Sequence, residues 1–233
     1  MKLLRWDAGA GYAVAFSTRQ GGVSEGSFES LNLGKLTLDT AENVAENRRS
    51  LCAAVGVQVE RLTFNRQQHS ALVHQAVEGR RGTPGDGVWS DQPGVPMLAF
   101  TADCVPVALA AGDRRALALL HVGWRGLLAG IVGEGVRALG SVARAAVGPS
   151  IGACCYEVGD EVAGPFRARF GEDVLRGRNL DLWTATERAL LEAGVGEVDR
   201  FDLCTSCNAD LFFSHRRDDG VTGRQGVIGV VVG

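Results

Sequence analysis

The stretch from Val95 to Ala111 constrains this chain most: it is almost continuously apolar, broken only by Thr101-Ala102-Asp103-Cys104. Two buried strands on either side of a polar turn are the expected reading, because a run bounded in this way is too short on each side for a helix. Placing an ionised carboxylate beside a core costs several kcal/mol unless it is paired, so Asp103-Cys104 marks a place where chemistry competes with packing. The structural alternative is that Asp103 caps its own turn and Cys104 packs as a small apolar residue.

A third buried strand follows over Arg115 to Val122, with His121 at its exit, ahead of Gly123-Trp124-Arg125-Gly126. The next helix carries Leu128, Ile131, Val132, Val136 and Leu139 on one face. A histidine at a strand exit, before a glycine loop and a helix start, stands where α/β folds place ligands. Further helices are expected over Thr40 to Val55, with Thr40 as N-cap, over Glu157 to Phe170 and over Leu180 to Ala193. Strands are expected over Val142 to Val147 and Val227 to Val232. The alternation argues for an α/β protein with mixed sheets flanked by helices, a single compact domain over residues 1–233.

The 233 residues carry 24 Lys plus Arg against 27 Asp plus Glu, a formal charge of −3 with the positive groups scattered. That balance disfavours nucleic acid as a partner. No signal-like segment and no uninterrupted membrane span is read, so a cytoplasmic, soluble protein with six reduced cysteines is expected; a monomer is expected as well.

Cys104 and His121 should lie on neighbouring strands and converge, either as a Cys-His catalytic pair or as two ligands of one metal. His69, His74 and His215 are the candidate third ligands. On an extended strand residues 69 and 74 would point to opposite faces, so only one can face the site, and His74 is expected to be solvent-exposed. A His2Cys set suits Zn(II) and leaves a fourth position open, and Asp103 could then move protons or orient a ligand from behind. Cys204-Thr-Ser-Cys207 could be half of a zinc site with Cys154-Cys155 or a redox pair; small buried residues is the reading taken for these four. Arginines in glycine loops, in Thr18-Arg19-Gln20-Gly21-Gly22, Trp124-Arg125-Gly126, Arg216-Arg217-Asp218-Asp219-Gly220 and Gly223-Arg224, are suited to holding an oxyanion.

The chain resembles the YfiH family, also labelled multicopper polyphenol oxidase or laccase-domain proteins and more recently purine nucleoside phosphorylases. The resemblance rests on Ser17-Thr-Arg-Gln-Gly-Gly-Val-Ser24, Ser30-Leu-Asn-Leu-Gly34, Glu46-Asn-Arg48, Thr101-Ala-Asp-Cys-Val-Pro-Val107, His121-Val-Gly-Trp-Arg-Gly126, Gly148 to Gly159, and Phe212 to Asp218 with Thr222-Gly-Arg224. It implies a zinc site of His69, Cys104 and His121, with Cys104, His121 and Asp103 catalytic, and a fold similar to a toxin deamidase with a Cys-His pair. It also implies phosphorolysis of adenosine, inosine, guanosine or methylthioadenosine, together with adenosine deamination. Purine nucleosides and phosphate are then the partners, and Arg48 and Arg125 are the residues expected to draw phosphate in. The chain departs from the family at Ser70, where glycine is usual, and at His215, where tyrosine is usual. Three rivals are carried forward: a Cu(II) phenol oxidase, a metal-free Cys-His hydrolase or amidase acting on cell-wall peptides, and a binding module that keeps zinc for stability.

Overall fold

The computed structural model describes residues 1–233. A six-stranded mixed sheet runs in the order 197–200, 142–147, 105–111, 117–122, 87–90 and 73–75. Its outermost pair at each end is parallel and its inner pairs are antiparallel. An antiparallel four-stranded sheet, ordered 3–6, 12–17, 225–231 and 97–101, packs against one of its faces.

The apolar text explains the layering. Every residue of Val105–Ala111 and of Leu117–Val122 is buried, so these strands are covered on both faces. Ala108, Ala110, Leu117 and Leu119 face Val14, Phe16, Met97, Ala99 and Val227 of the second sheet. Val105, Val107, Leu109, Leu120 and Val122 face the helices Ile131–Leu139, Asp160–Phe170 and Leu182–Glu192. Helix Ala41–Ala54 covers the outer face of the four-stranded sheet through Leu51 and Cys52, against Ala15, Leu98 and Ile228. The order is helix, sheet, sheet, helices, and each fully buried Val or Leu in the inner layers contributes about 1.5–3 kcal/mol of transfer free energy.

The α/β expectation holds, and the two strands flanking residues 102–104 form as expected, Met97–Thr101 and Val105–Ala111. They belong to different sheets, so the Asp103-Cys104 turn is where the chain crosses between layers. Thr40 caps the helix Ala41–Ala54 by accepting the Asn43 N–H at 3.1 Å. The helix expected after Gly123 is two, Trp124–Leu128 and Ile131–Leu139, because Gly130 adopts φ 90°, which only glycine enters readily. The helix expected from Glu157 starts at Asp160, since Glu157 bridges to Asn179 as extended chain.

A candidate metal centre at the strand ends

His121, on the same face of its strand as Leu117 and Leu119, reaches the end of the inter-sheet layer where those leucines stop. Cys104 closes the crossing turn and immediately precedes the paired strand, in which Pro106 is opposite His121. His69 comes from a turn rather than a strand, with φ 61°, and Asp103 has φ 83°. Two left-handed non-glycine residues in the turns that carry ligands are the kind of backbone strain that clusters at functional sites.

The ligand atoms of His69, Cys104 and His121 all lie within 4.8 Å of one another. Cys104 Sγ is 3.6 Å from His69 Nε2, and the two imidazoles meet at 72° with centroids 4.9 Å apart. A tetrahedral ion with bonds of about 2.3 Å to sulfur and about 2.0–2.1 Å to nitrogen needs a sulfur–nitrogen edge of about 3.6 Å, so the trio fits such an ion. His121 is buried, Cys104 half-buried and His69 exposed, which leaves the centre open on the His69 side.

Asp86 organises this geometry. His121 Nδ1 donates to Asp86 Oδ1 at 2.8 Å, which leaves Nε2 free as the ligand. The same carboxylate accepts the backbone N–H groups of Gln68, His69 and Ser70, and the Ser70 hydroxyl at 2.7 Å. Serine in the usual glycine position therefore adds a hydrogen bond beneath the His69 turn. Burial alone would raise the Asp86 carboxyl, but the bonds from His121 and Ser70 hold it well below the usual carboxylate range. Burial would also raise the Cys104 thiol, yet His121 and His69 bring it down to about 6. For His121 burial acts downwards, and the Cys104 charge and Asp86 lift it to about 9.

The outer-shell place expected of Asp103 thus belongs to Asp86. Asp103 is buried and accepts the Thr205 hydroxyl at 2.6 Å and the Arg216 backbone N–H at 2.7 Å, tying three loops together behind Cys104. His74 does point away from the centre, as expected, but it is half-buried rather than solvent-exposed, its Nε2 2.9 Å from the Pro84 carbonyl. His215 is outside the trio and packs near Gly220. Reading the four remaining cysteines as small buried residues is corrected: Cys154 and Cys207 are exposed, and only Cys204 is buried.

The arginines divide. Arg48 is buried, donates through Nε and Nη2 to the Leu33 carbonyl and lies over the rings of Phe64 and Phe100, so two of its five N–H donors are already engaged. Arg125 is exposed and lies over the Trp124 ring at 4.1 Å. Arg19 and Arg217 are tied to backbone carbonyls. Arg216 lies over Tyr156. Burial, then the charge of Cys104, pushes the Tyr156 phenol up to about 12, with Arg216 and Arg125 acting the other way. Tyr156 and Asp86 were not singled out by sequence reasoning.

Together these features define an α/β protein with a His2Cys centre where two sheets part. The chain belongs to the family described as multi-copper polyphenol oxidoreductase laccase, which matches residues 13–231 and whose relatives include proteins named YfiH. The purine nucleoside phosphorylase YlmD of Geobacillus stearothermophilus is 37% identical, over 92% of this chain and 88% of its own. A purine nucleoside phosphorylase of Deinococcus radiodurans is 41% identical over 93% and 88%. The crystal structure of YlmD from Geobacillus stearothermophilus superposes with a TM-score of 0.92 at 33% identity, covering 100% of this chain and 97% of that one.

Proposed function

We propose that this protein is a zinc-dependent purine nucleoside phosphorylase that takes adenosine, inosine, guanosine or methylthioadenosine with phosphate to the free base and the ribose 1-phosphate, and that also deaminates adenosine. The observation that carries the reading is the open His69–Cys104–His121 centre, in a chain whose relatives bear the phosphorylase name. His69, Cys104 and His121 would hold the ion, which when bound supplies Lewis acidity at its open position.

The chain's own groups account for the rest. Phosphorolysis breaks the bond from ribose C1′ to the purine while a phosphate oxygen bonds to C1′, so an anion must be held beside a developing oxocarbenium. Arg125, exposed and braced on Trp124, suits that task better than Arg48, which is already engaged at Leu33. Tyr156 keeps its proton at neutral pH and offers a hydroxyl donor to the nucleoside. Asp86 holds His121 in one tautomer, and Asp103 holds the Thr205 and Arg216 loops against the centre.

A multicopper arrangement does not fit the residues. The chain has four histidines, and the two outside the centre, His74 and His215, lie apart from it and from each other's partners. The metal-free Cys-His reading, akin to the toxin-deamidase comparison, is favoured by one arrangement, Cys104 close to His121 with Asp86 behind the imidazole, which lowers the thiol and raises the histidine. The test is incubation of metal-analysed protein with adenosine and phosphate, and separation of adenine, inosine and ribose 1-phosphate beside a Cys104→Ala control. Ribose 1-phosphate equal to the sum of adenine and hypoxanthine, absent from the control, supports the proposal. Base release without ribose 1-phosphate would refute phosphorolysis, and absence of both inosine and hypoxanthine would remove the deaminase part.

A further inference from the structure

Away from that centre, the turn at residues 152–156 and the loop at 203–208 bring four thiols together. The Sγ atoms of Cys154, Cys155, Cys204 and Cys207 all lie within 4.8 Å of one another. Cys207 Sγ is 3.4 Å from both Cys154 Sγ and Cys155 Sγ. An apolar packing role does not account for the cluster, because Cys154 and Cys207 are exposed and Cys155 is half-buried.

A disulfide pairing does not account for it either. Such a bond needs sulfurs about 2.05 Å apart in two separate pairs. Here Cys207 is shared equally between two partners, which is the arrangement of ligands around a common point. A tetrahedral ion with four sulfur ligands at about 2.3 Å has edges of about 3.8 Å, within the spread of these distances. The sulfur of Cys204 also receives the backbone N–H of Gly152 at 3.3 Å, from across the cluster. A donor aimed at sulfur favours the thiolate, the form in which cysteine binds metal.

We propose that Cys154, Cys155, Cys204 and Cys207 form a second metal site, a tetrathiolate that takes a borderline-soft dication of the zinc class and clamps the 152–156 turn to the 203–208 loop. Binding converts four thiols to four thiolates and releases their protons to solvent, with no change of oxidation state. The clamp would act next to the first centre without joining it. Thr205 N donates to the Ser150 carbonyl at 3.0 Å, Thr205 Oγ1 to Asp103, and Ile151 N to the Asp103 carbonyl at 2.9 Å. Tyr156 follows directly on Cys155. The metal would therefore set the position of the wall that carries Tyr156 and Asp103.

The experiment separates the two sites. Cys104→Ala protein, purified without chelator, is analysed for metal and its zinc or iron edge is measured by X-ray absorption, with Cys154→Ser/Cys207→Ser made in the same background. About one equivalent of zinc or iron in an all-sulfur shell, lost from the triple variant, is the expected result. Should the triple variant fold poorly, the coordination shell of the Cys104→Ala protein decides alone. A metal-free Cys104→Ala protein, a shell of nitrogen and oxygen, or an intact mass lowered by two or four hydrogens through disulfide formation would each overturn the proposal. None of these outcomes depends on nucleoside turnover.

Discussion

Asp86 accepts from His121 Nδ1 at 2.8 Å, and the same carboxylate receives the backbone of the His69 turn. One buried acid thus sets the tautomer of one ligand and the loop of another. Removing an outer-shell carboxylate of this kind costs about 10–100-fold in metal affinity. Asp86→Asn is expected to weaken zinc binding at the centre by that factor in a chelator competition. Unchanged affinity would show that the two histidines are oriented by packing alone.

The metal-free protein should have an unusual thiol. Cys104 is lowered to about 6 and His121 raised to about 9, so between those values the pair exists as thiolate and imidazolium. Because the thiol is depressed, its reactive form is already present at neutral pH and is lost as pH falls through about 6. Iodoacetamide labelling of Cys104 in the metal-free protein is expected to rise through about pH 6, where an ordinary thiol rises through about 8.5. Zinc should suppress that labelling, and a profile centred near 8.5 would contradict the ion pair.

Gly123 touches both sides of the centre. A Cβ there would stand 2.5 Å from His69 Cδ2 and 3.1 Å from Cys104 Sγ, closer than side chains pack. Gly123→Ala is expected to lower zinc affinity by about tenfold or more, because a site displaced by a fraction of an ångström loses its geometry. The backbone is not the obstacle, since Gly123 has φ −84°. The melting temperature of the metal-free protein should therefore change little, and an unaltered zinc affinity would count against the geometry.

Loss of an exposed arginine that meets phosphate should appear in KM for phosphate. A hydrogen bond to a charged group is worth about 1.5–3 kcal/mol, or roughly 10–100-fold. Arg125→Ala is expected to raise KM for phosphate within that range and to leave KM for nucleoside less affected. Equal effects on both would assign Arg125 to the nucleoside or to the fold.

How far the sequence carried the site follows from where chemistry interrupts packing. Cys104 breaks an apolar run and His121 ends one, so both were legible. His69 was legible only as one of several histidines until the family resemblance selected it. The argument that separated it from His74 assumed a strand, whereas the strand spans Val73–Gln75 and His69 sits in a left-handed turn. Asp86 was hidden because Gly85-Asp86-Gly87 reads as a turn, and the strand behind it, Gly87–Ser90, is four residues long. The engagement of Arg48 at the Leu33 carbonyl was not legible, because its two bonds depend on a loop 15 residues earlier. The thiol cluster joins segments about fifty residues apart, a distance over which periodicity says nothing.

The central claim is that the ion held by His69, Cys104 and His121 is required for cleavage of the nucleoside. The most direct measurement is ribose 1-phosphate formation from inosine and phosphate by chelator-stripped protein, before and after zinc is restored, with His69→Ala protein alongside. Turnover lost on stripping, recovered with zinc and absent from the variant is the expected result. Ribose 1-phosphate formed at the full rate by stripped protein, or by the His69→Ala variant, would contradict the account.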